Sequence, residues 1–356
     1  MTTNARRQVP LDPKELQKRK RYLGATLITC LALAMIFGVV HVVKLGGNRM
    51  EEMRSKASYD LKDMNKHVRA AGEDIQLHRL HEMQQKAEET YSVQEIHAML
   101  DAQRWQEIDS MVEIPNGEFA MGTNYVRADA QDQPEHKVAL PAFYIDKYPV
   151  TNAQYARFVG QTQHRPPLDW KNGKIPDDKL LHPVTMVSWY DAKAYCEANN
   201  KRLPTEAEWE KAARGPEGNR WPWGNKMDPA RVNTYYNVGS TTEVTKYTGG
   251  VSPYGVFDMA GNVSEWTASD FNPYTGSTAP DSLFQAKQVK AQTPEDRAMK
   301  VADLVPIEGV AYKVRRGGSW KSDPFATSAY HRNYSLPHYA SDFFGFRCVK
   351  DAAQNP

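Results

Sequence analysis

The stretch Arg316-Gly317-Gly318-Ser319-Trp320, followed by Ser322, Thr327, Tyr330, His331 and Arg332, gathers a group of reactive side chains in one place. Its nucleophiles are all hydroxyls, and a hydroxyl attacks only when a neighbouring base takes its proton. Ser319, His331 and Asp323 are the residue types of a Ser-His-Asp relay. No Gly-x-Ser-x-Gly elbow surrounds Ser319, which argues against a hydrolase. A second set lies in Asp258-Met259-Ala260-Gly261-Asn262-Val263-Ser264-Glu265. Its two carboxylates converge if the chain between them curls. Gly261 permits the curl, and the carbonyls of Gly261 and Val263 can then point inward as hard oxygen donors. The alternative is a metal-free loop held by hydrogen bonds of Asn262 and Glu265 to backbone. His78, His81 and Glu82 share a helix face and are ligand types, but a solvated helix face is the better reading.

The elements that must position these groups leave local signals. Thr205 with Glu208 forms a Thr-x-x-Glu capping box, so a helix starts near Glu206. Thr151 with Gln154 and Ser188 with Asp191 repeat the device. After Ser188, residues Trp189, Ala192, Tyr195, Cys196 and Asn199 fall near one helix face, which should pack inward. Val238-Gly239-Ser240, Thr248-Gly249-Gly250 and Asp270-Phe271-Asn272-Pro273 mark turns or loops. Few helices and many irregular segments describe an α+β domain with long loops. Eight Trp and 18 Tyr suit a core filled with large rings, or a groove that stacks ligands. A formal charge of +2 gives no reason to expect a nucleic-acid partner.

Residues 22–43 contain no Asp, Glu, Lys or Arg, and about 22 residues span a bilayer as one helix. A cleaved signal peptide is the alternative, although the apolar run is longer than a usual signal core. Leu27-Ile28-Thr29-Cys30 distantly resembles a lipoprotein cleavage site, but Thr29 suits it poorly and the run continues past Cys30. Basic residues Arg6, Arg7, Lys14, Lys18, Arg19, Lys20 and Arg21 put the tail 1–21 in the cytoplasm. The remainder then lies outside it, in the periplasm or an equivalent space, as a single-pass inner-membrane protein. Residues 44–110 are expected to form a helical stalk. In it Ala57, Leu61, Met64, Val68, Ala71 and Ile75 alternate steps of four and three. This short heptad seam can pair with another helix, or pack on its own domain. Within 272–311, Ser282–Lys290 and Thr293–Asp303 have helical composition, with Pro294 placed as a first-turn residue.

Seven motifs occur in order between residues 111 and 350. They are Met111-Val112-Glu113-Ile114-Pro115, Phe143-Tyr144-Ile145-Asp146 and Val187-Ser188-Trp189, then Lys201-Arg202-Leu203-Pro204-Thr205-Glu206-Ala207-Glu208-Trp209-Glu210. Trp221-Pro222-Trp223-Gly224, Tyr254-Gly255-Val256-Phe257-Asp258-Met259-Ala260-Gly261-Asn262-Val263 and Gly345-Phe346-Arg347-Cys348 complete the set. With the Arg-Gly-Gly-Ser-Trp tract they resemble the formylglycine-generating, sulfatase-modifying-factor family. The resemblance implies a C-type-lectin-like fold over 111–350, with 272–311 as an insertion and 351–356 as a tail. It implies a structural disulfide between Cys196 and Cys348, which an oxidising compartment permits; two buried free thiols are the alternative. It implies a calcium ion held by Asp258, Gly261, Val263 and Glu265.

In family members that oxidise a sulfatase cysteine, the Gly-Gly-Ser-aromatic run leads to two cysteines that bind copper and contact the substrate thiol. The matching positions here are Ser322 and Thr327. A neutral hydroxyl is a poor ligand for soft cuprous ion, so no copper is expected. Ser319, Trp320, Ser322, Thr327, Tyr330 and Arg332 should line what remains of that site as a groove. The sequence therefore favours a membrane-anchored, extracytoplasmic accessory or scaffold protein on a catalytically inactive domain. The stalk and the 272–311 insertion would be its docking surfaces for protein partners. The alternatives are an oxidising enzyme of the same superfamily with a non-cysteine site, or a lectin-like module that binds glycans or peptides.

Overall fold

The computed structural model describes residues 91–289 and 304–352, all within the unit His78–Pro356. The tail 1–21, the apolar run 22–43, the stalk up to residue 90, Cys30, the His78/His81/Glu82 set, Thr293–Asp303 and most of the C-terminal tail lie outside the described residues. Among the described residues no helix is long and apolar enough to cross a membrane.

Five α-helices are described: α1 (Val93–Ala98), α2 (Ala102–Ile108), α3 (Asn152–Thr162), α4 (Trp189–Ala198) and α5 (Glu206–Arg214). The capping boxes at Thr151, Ser188 and Thr205 are all formed. At α5 the Glu208 amide donates to Thr205 Oγ1 at 3.2 Å, and the Thr205 amide donates back to Glu208 Oε2 at 2.7 Å. Each box satisfies backbone donors at the first turn that the helix itself leaves unpaired. Residues 91–110, expected as the end of the stalk, fold onto the domain instead. Ile96 of α1 is buried. It approaches α3 so closely that a Cβ at Gly160 would stand 2.8 Å from its Cδ1. Beyond α2, Asp109 holds Arg157 of α3 at 2.6 and 2.8 Å.

The strands are short and form two main sheets. One orders β1 (Met111–Ile114), β4 (Phe143–Asp146) and β11 (Val349–Asp351). The other orders β10 (Phe344–Phe346), β5 (Ser264–Asp270), β8 (Lys313–Arg316) and β9 (Asn333–Ser335), with β10 parallel to β5. β2 (Gly117–Met121) pairs with β3 (His136–Leu140). Large rings fill the core, including Trp209, Trp266, Tyr155, Tyr195 and Phe346. Cys196 of α4 is bonded to Cys348, with the two Cα atoms 5.7 Å apart. The inward face of α4 is Ala192, Tyr195 and Cys196.

The insertion departs from expectation. Among the described residues, 282–289 form no α-helix: a short 3-10 turn at Asp281–Leu283 is followed by β6 (Lys287–Val289), which pairs antiparallel with β7 (Leu304–Pro306). A ladder to a distant segment overrides local helix propensity here.

Candidate functional site

β8 ends at Arg316, and the next two residues turn the chain sharply. Gly317 and Gly318 take φ of +88° and +64°, a region L-residues rarely adopt. A Cβ at Gly318 would lie 2.6 Å from the Ala326 carbonyl. The turn therefore presses Gly318 against Ala326 and Thr327, and the loop closes on itself. Ser319 donates its amide to Ser322 Oγ at 2.9 Å, and the two hydroxyl oxygens are 3.2 Å apart. The Ser322 carbonyl accepts from Thr234 Oγ1 and the Tyr235 amide, at 2.6 and 2.8 Å. Thr327 is fully buried; its hydroxyl donates to the Pro324 carbonyl at 2.8 Å and accepts from Trp221 Nε1 at 3.3 Å. The hydroxyls at 319, 322 and 327 thus serve the loop's own fold. Among the described residues none has a base as its partner.

No Ser-His-Asp relay is assembled. His331 Nδ1 is 2.9 Å from Asp132 Oδ2. The Asp323 carboxylate accepts from the Phe325 and Ala326 amides, at 2.7 and 3.1 Å. The expected groove residues are also divided. Trp320 lines a pocket of about 210 Å³ with Asp169, Lys179, Thr185 and Asp342. Burial pushes Asp169 up to about 6 in that pocket. Tyr330 lines a different cavity of about 410 Å³. Arg332 lines neither. It is buried, with Glu206 at 2.7 and 2.9 Å from its Nε and Nη2. A guanidinium cannot be left uncompensated in the interior, and Glu206 of α5 supplies the carboxylate here.

Sequence reading missed the cluster that receives Arg332. Arg316 bonds to Glu206 at 3.0 Å and also to Glu210. Glu210 in turn holds Arg214 at 2.8 Å and the Gly122 amide at 2.8 Å. Burial disfavours the charge on Arg316, but Glu210 and Glu206 outweigh it and hold its pKa above the ordinary value. The motif Arg-Leu-Pro-Thr-Glu-Ala-Glu-Trp-Glu carries the acidic half of this cluster. The one available signal was its carboxylates at helix spacing, Glu206 and Glu210, with Arg214 four residues on.

The Asp258–Glu265 loop curls as anticipated. Asp258, Gly261 and Asn262 take φ of 53°, 72° and 59°. A Cβ at Gly261 would fall 2.3 Å from the Asn233 carbonyl. The two carboxylates then diverge in role. Burial pushes Asp258 up to about 7, against the hydrogen bond from Asn262 Nδ2 at 2.8 Å. Among the described residues no Lys or Arg side chain forms an ion pair with it, and Arg347 acts on it only as a nearby charge. Glu265 does not fit as a free ligand. Arg347 donates to both of its oxygens at 2.7 Å, and Trp209 Nε1 donates to it at 2.8 Å. Val263 is fully buried beside them.

These features define a class of protein: a mixed α/β domain whose Gly-Gly turn hangs a self-bonded hydroxyl loop over a buried ion cluster. The chain belongs to the sulfatase-modifying factor enzyme 1-like domain family, whose model matches residues 97–352. It is 35% identical over 260 residues to the protein named serine/threonine-protein kinase pkn1 of Chlamydia pneumoniae, covering 68% of this chain but 38% of that relative. It is 31% identical over 318 residues to inactive C-alpha-formylglycine-generating enzyme 2 of Bos taurus, covering 71% and 93%. It is 30% identical over 304 residues to formylglycine-generating enzyme of Mus musculus, covering 68% and 76%. Identity this similar to an active and an inactive relative leaves the site residues to discriminate. Among solved structures, PvdO from Pseudomonas aeruginosa superposes with a TM-score of 0.53 at 25% identity, covering 68% of this chain and 94% of that one.

Proposed function

We propose that this protein is a non-catalytic accessory or scaffold subunit that uses a sulfatase-modifying-factor domain as a rigid platform. The observation that carries the reading is the state of residues 322 and 327. Both are hydroxyls where copper chemistry needs thiolates, and both take part in hydrogen bonds within their own loop. Cys196 and Cys348 are joined to each other, so neither supplies a thiolate. The apolar run 22–43 anchors the chain in the inner membrane with residues 1–21 in the cytoplasm, and the domain faces the periplasm or its equivalent. The Cys196–Cys348 bond supports that compartment. Partner contacts run through the stalk and the 272–311 insertion. Calcium at Asp258, with the Gly261 and Val263 carbonyls, would act as a structural ion; Glu265 would have to share its oxygens with Arg347.

The test is purification of the full chain from native membranes in mild detergent, with identification and quantification of co-purifying proteins. A stoichiometric partner that is lost on deleting residues 272–311 is the expected result. A lone protein that turns over a thiol substrate would overturn the proposal.

A further inference from the structure

We infer that Asp129, Asp132 and His331 form a binding site for a divalent transition-metal ion of the zinc or manganese class. One ligand atom from each lies within 4.8 Å of the other two. His331 Nδ1 is 2.9 Å from Asp132 Oδ2 and 3.9 Å from Asp129 Oδ2. Ligands about 2.1 Å from a common metal stand roughly 3 to 4 Å apart, and the two spacings from His331 already match that. An imidazole nitrogen among carboxylates favours zinc or manganese over calcium, which takes oxygen alone.

The surroundings support this assignment independently. Asp132 has a side chain 1% exposed, yet among the described residues no Lys or Arg side chain forms an ion pair with it. Its Oδ1 is fixed by the Arg332 amide at 2.9 Å, which leaves Oδ2 to face His331. That is the outer-shell arrangement that orients a ligating carboxylate. Asp129 is 62% exposed and closes no internal hydrogen bond to His331. All three residues line the cavity of about 410 Å³, so a bound ion keeps open positions toward solvent. The competing account is a plain His331–Asp132 hydrogen bond. Asp129 separates the two, because it adds nothing to that bond but completes the ligand set.

The test uses the full chain in detergent, stripped with chelator, then titrated calorimetrically with zinc and with manganese. One equivalent of either metal should bind and raise the thermal midpoint. Asp129→Asn should weaken binding by at least the roughly 10-fold that loss of an outer-shell partner costs, while its midpoint in chelator stays that of the wild type. Asp281→Asn, an exposed carboxylate elsewhere, should bind as the wild type does. His331→Gln should abolish binding. No binding of either metal, or Asp129→Asn binding as tightly as the wild type, would overturn the assignment.

Discussion

Two regions that share the 316–332 segment behave in opposite ways. At its ends, Arg316 and Arg332 reach inward to Glu206 and Glu210 and are almost wholly excluded from water. Between them, residues 319–328 bond chiefly to themselves and to neighbouring turns. The first region ties α5 to two distant parts of the chain. The second hangs on it and holds no thiol, and its one carboxylate, Asp323, accepts from the Phe325 and Ala326 amides. The family's buried frame is thus present while the loop attached to it carries Ser322 and Thr327 at the positions that decide the proposed function. The frame depends on buried charge compensation, which is costly to lose. The loop depends on exchangeable hydroxyl bonds, which are cheap.

The largest expected effect lies in the frame. The Cys196–Cys348 bond closes a separation of 152 residues, which the chain-entropy model converts to about 5 kcal/mol of stability. Cys348→Ala with Cys196→Ala should lower the denaturation midpoint accordingly, and a non-reduced digest of the wild type should yield the linked peptides. Two alkylatable thiols in protein from its native compartment would remove the bond from the account. Next comes Arg316→Met. It leaves Glu206 and Glu210 short of a partner in the interior and should cost about 3 to 5 kcal/mol by urea unfolding. In the loop, by contrast, Ser322→Ala removes the acceptor of the Ser319 amide and should cost only about 1 kcal/mol. Equal losses for Arg316→Met and Ser322→Ala would erase the distinction between frame and loop.

Asp258 gives a comparison within the frame. Its folded-state pKa, raised to about 7 by burial, means that the folded protein holds a proton that the unfolded chain releases near pH 4. Between about pH 4 and 7 the folded state binds more protons, so this residue's contribution to stability falls as pH rises and is flat above 7. Asp258→Asn should remove that slope in chelator. Calcium at neutral pH should raise the midpoint of the wild type and leave the variant unmoved. Parallel pH curves, or equal calcium responses, would assign the burial a different compensation.

What the sequence made legible follows the reach of each interaction. The boxes at Thr151, Ser188 and Thr205 join residues three apart, so their pattern is written in consecutive positions. The Gly261 curl is legible for the same reason. The resemblance assigns Arg332 to the groove with the rest of its segment, but its partner is Glu206, 126 positions away. The Asp129–Asp132–His331 cluster joins segments 199 positions apart, and no local pattern announces it. Ser282–Lys290 has helical composition, and only the pairing with Leu304–Pro306 makes part of it a strand. The family resemblance fixed the order of elements. It could not show that the hydroxyls at 322 and 327 face inward on their own loop.

The most direct measurement is an oxidation assay. The detergent-solubilised chain is incubated with a sulfatase-type peptide carrying Cys-x-Pro-x-Arg, together with copper, oxygen and a reductant, and aldehyde is quantified. With Ser322 and Thr327 in place of thiolates, the peptide should remain unmodified at the level of a no-protein control. Aldehyde formed above that control, and lost on heat denaturation of the protein, would contradict the account.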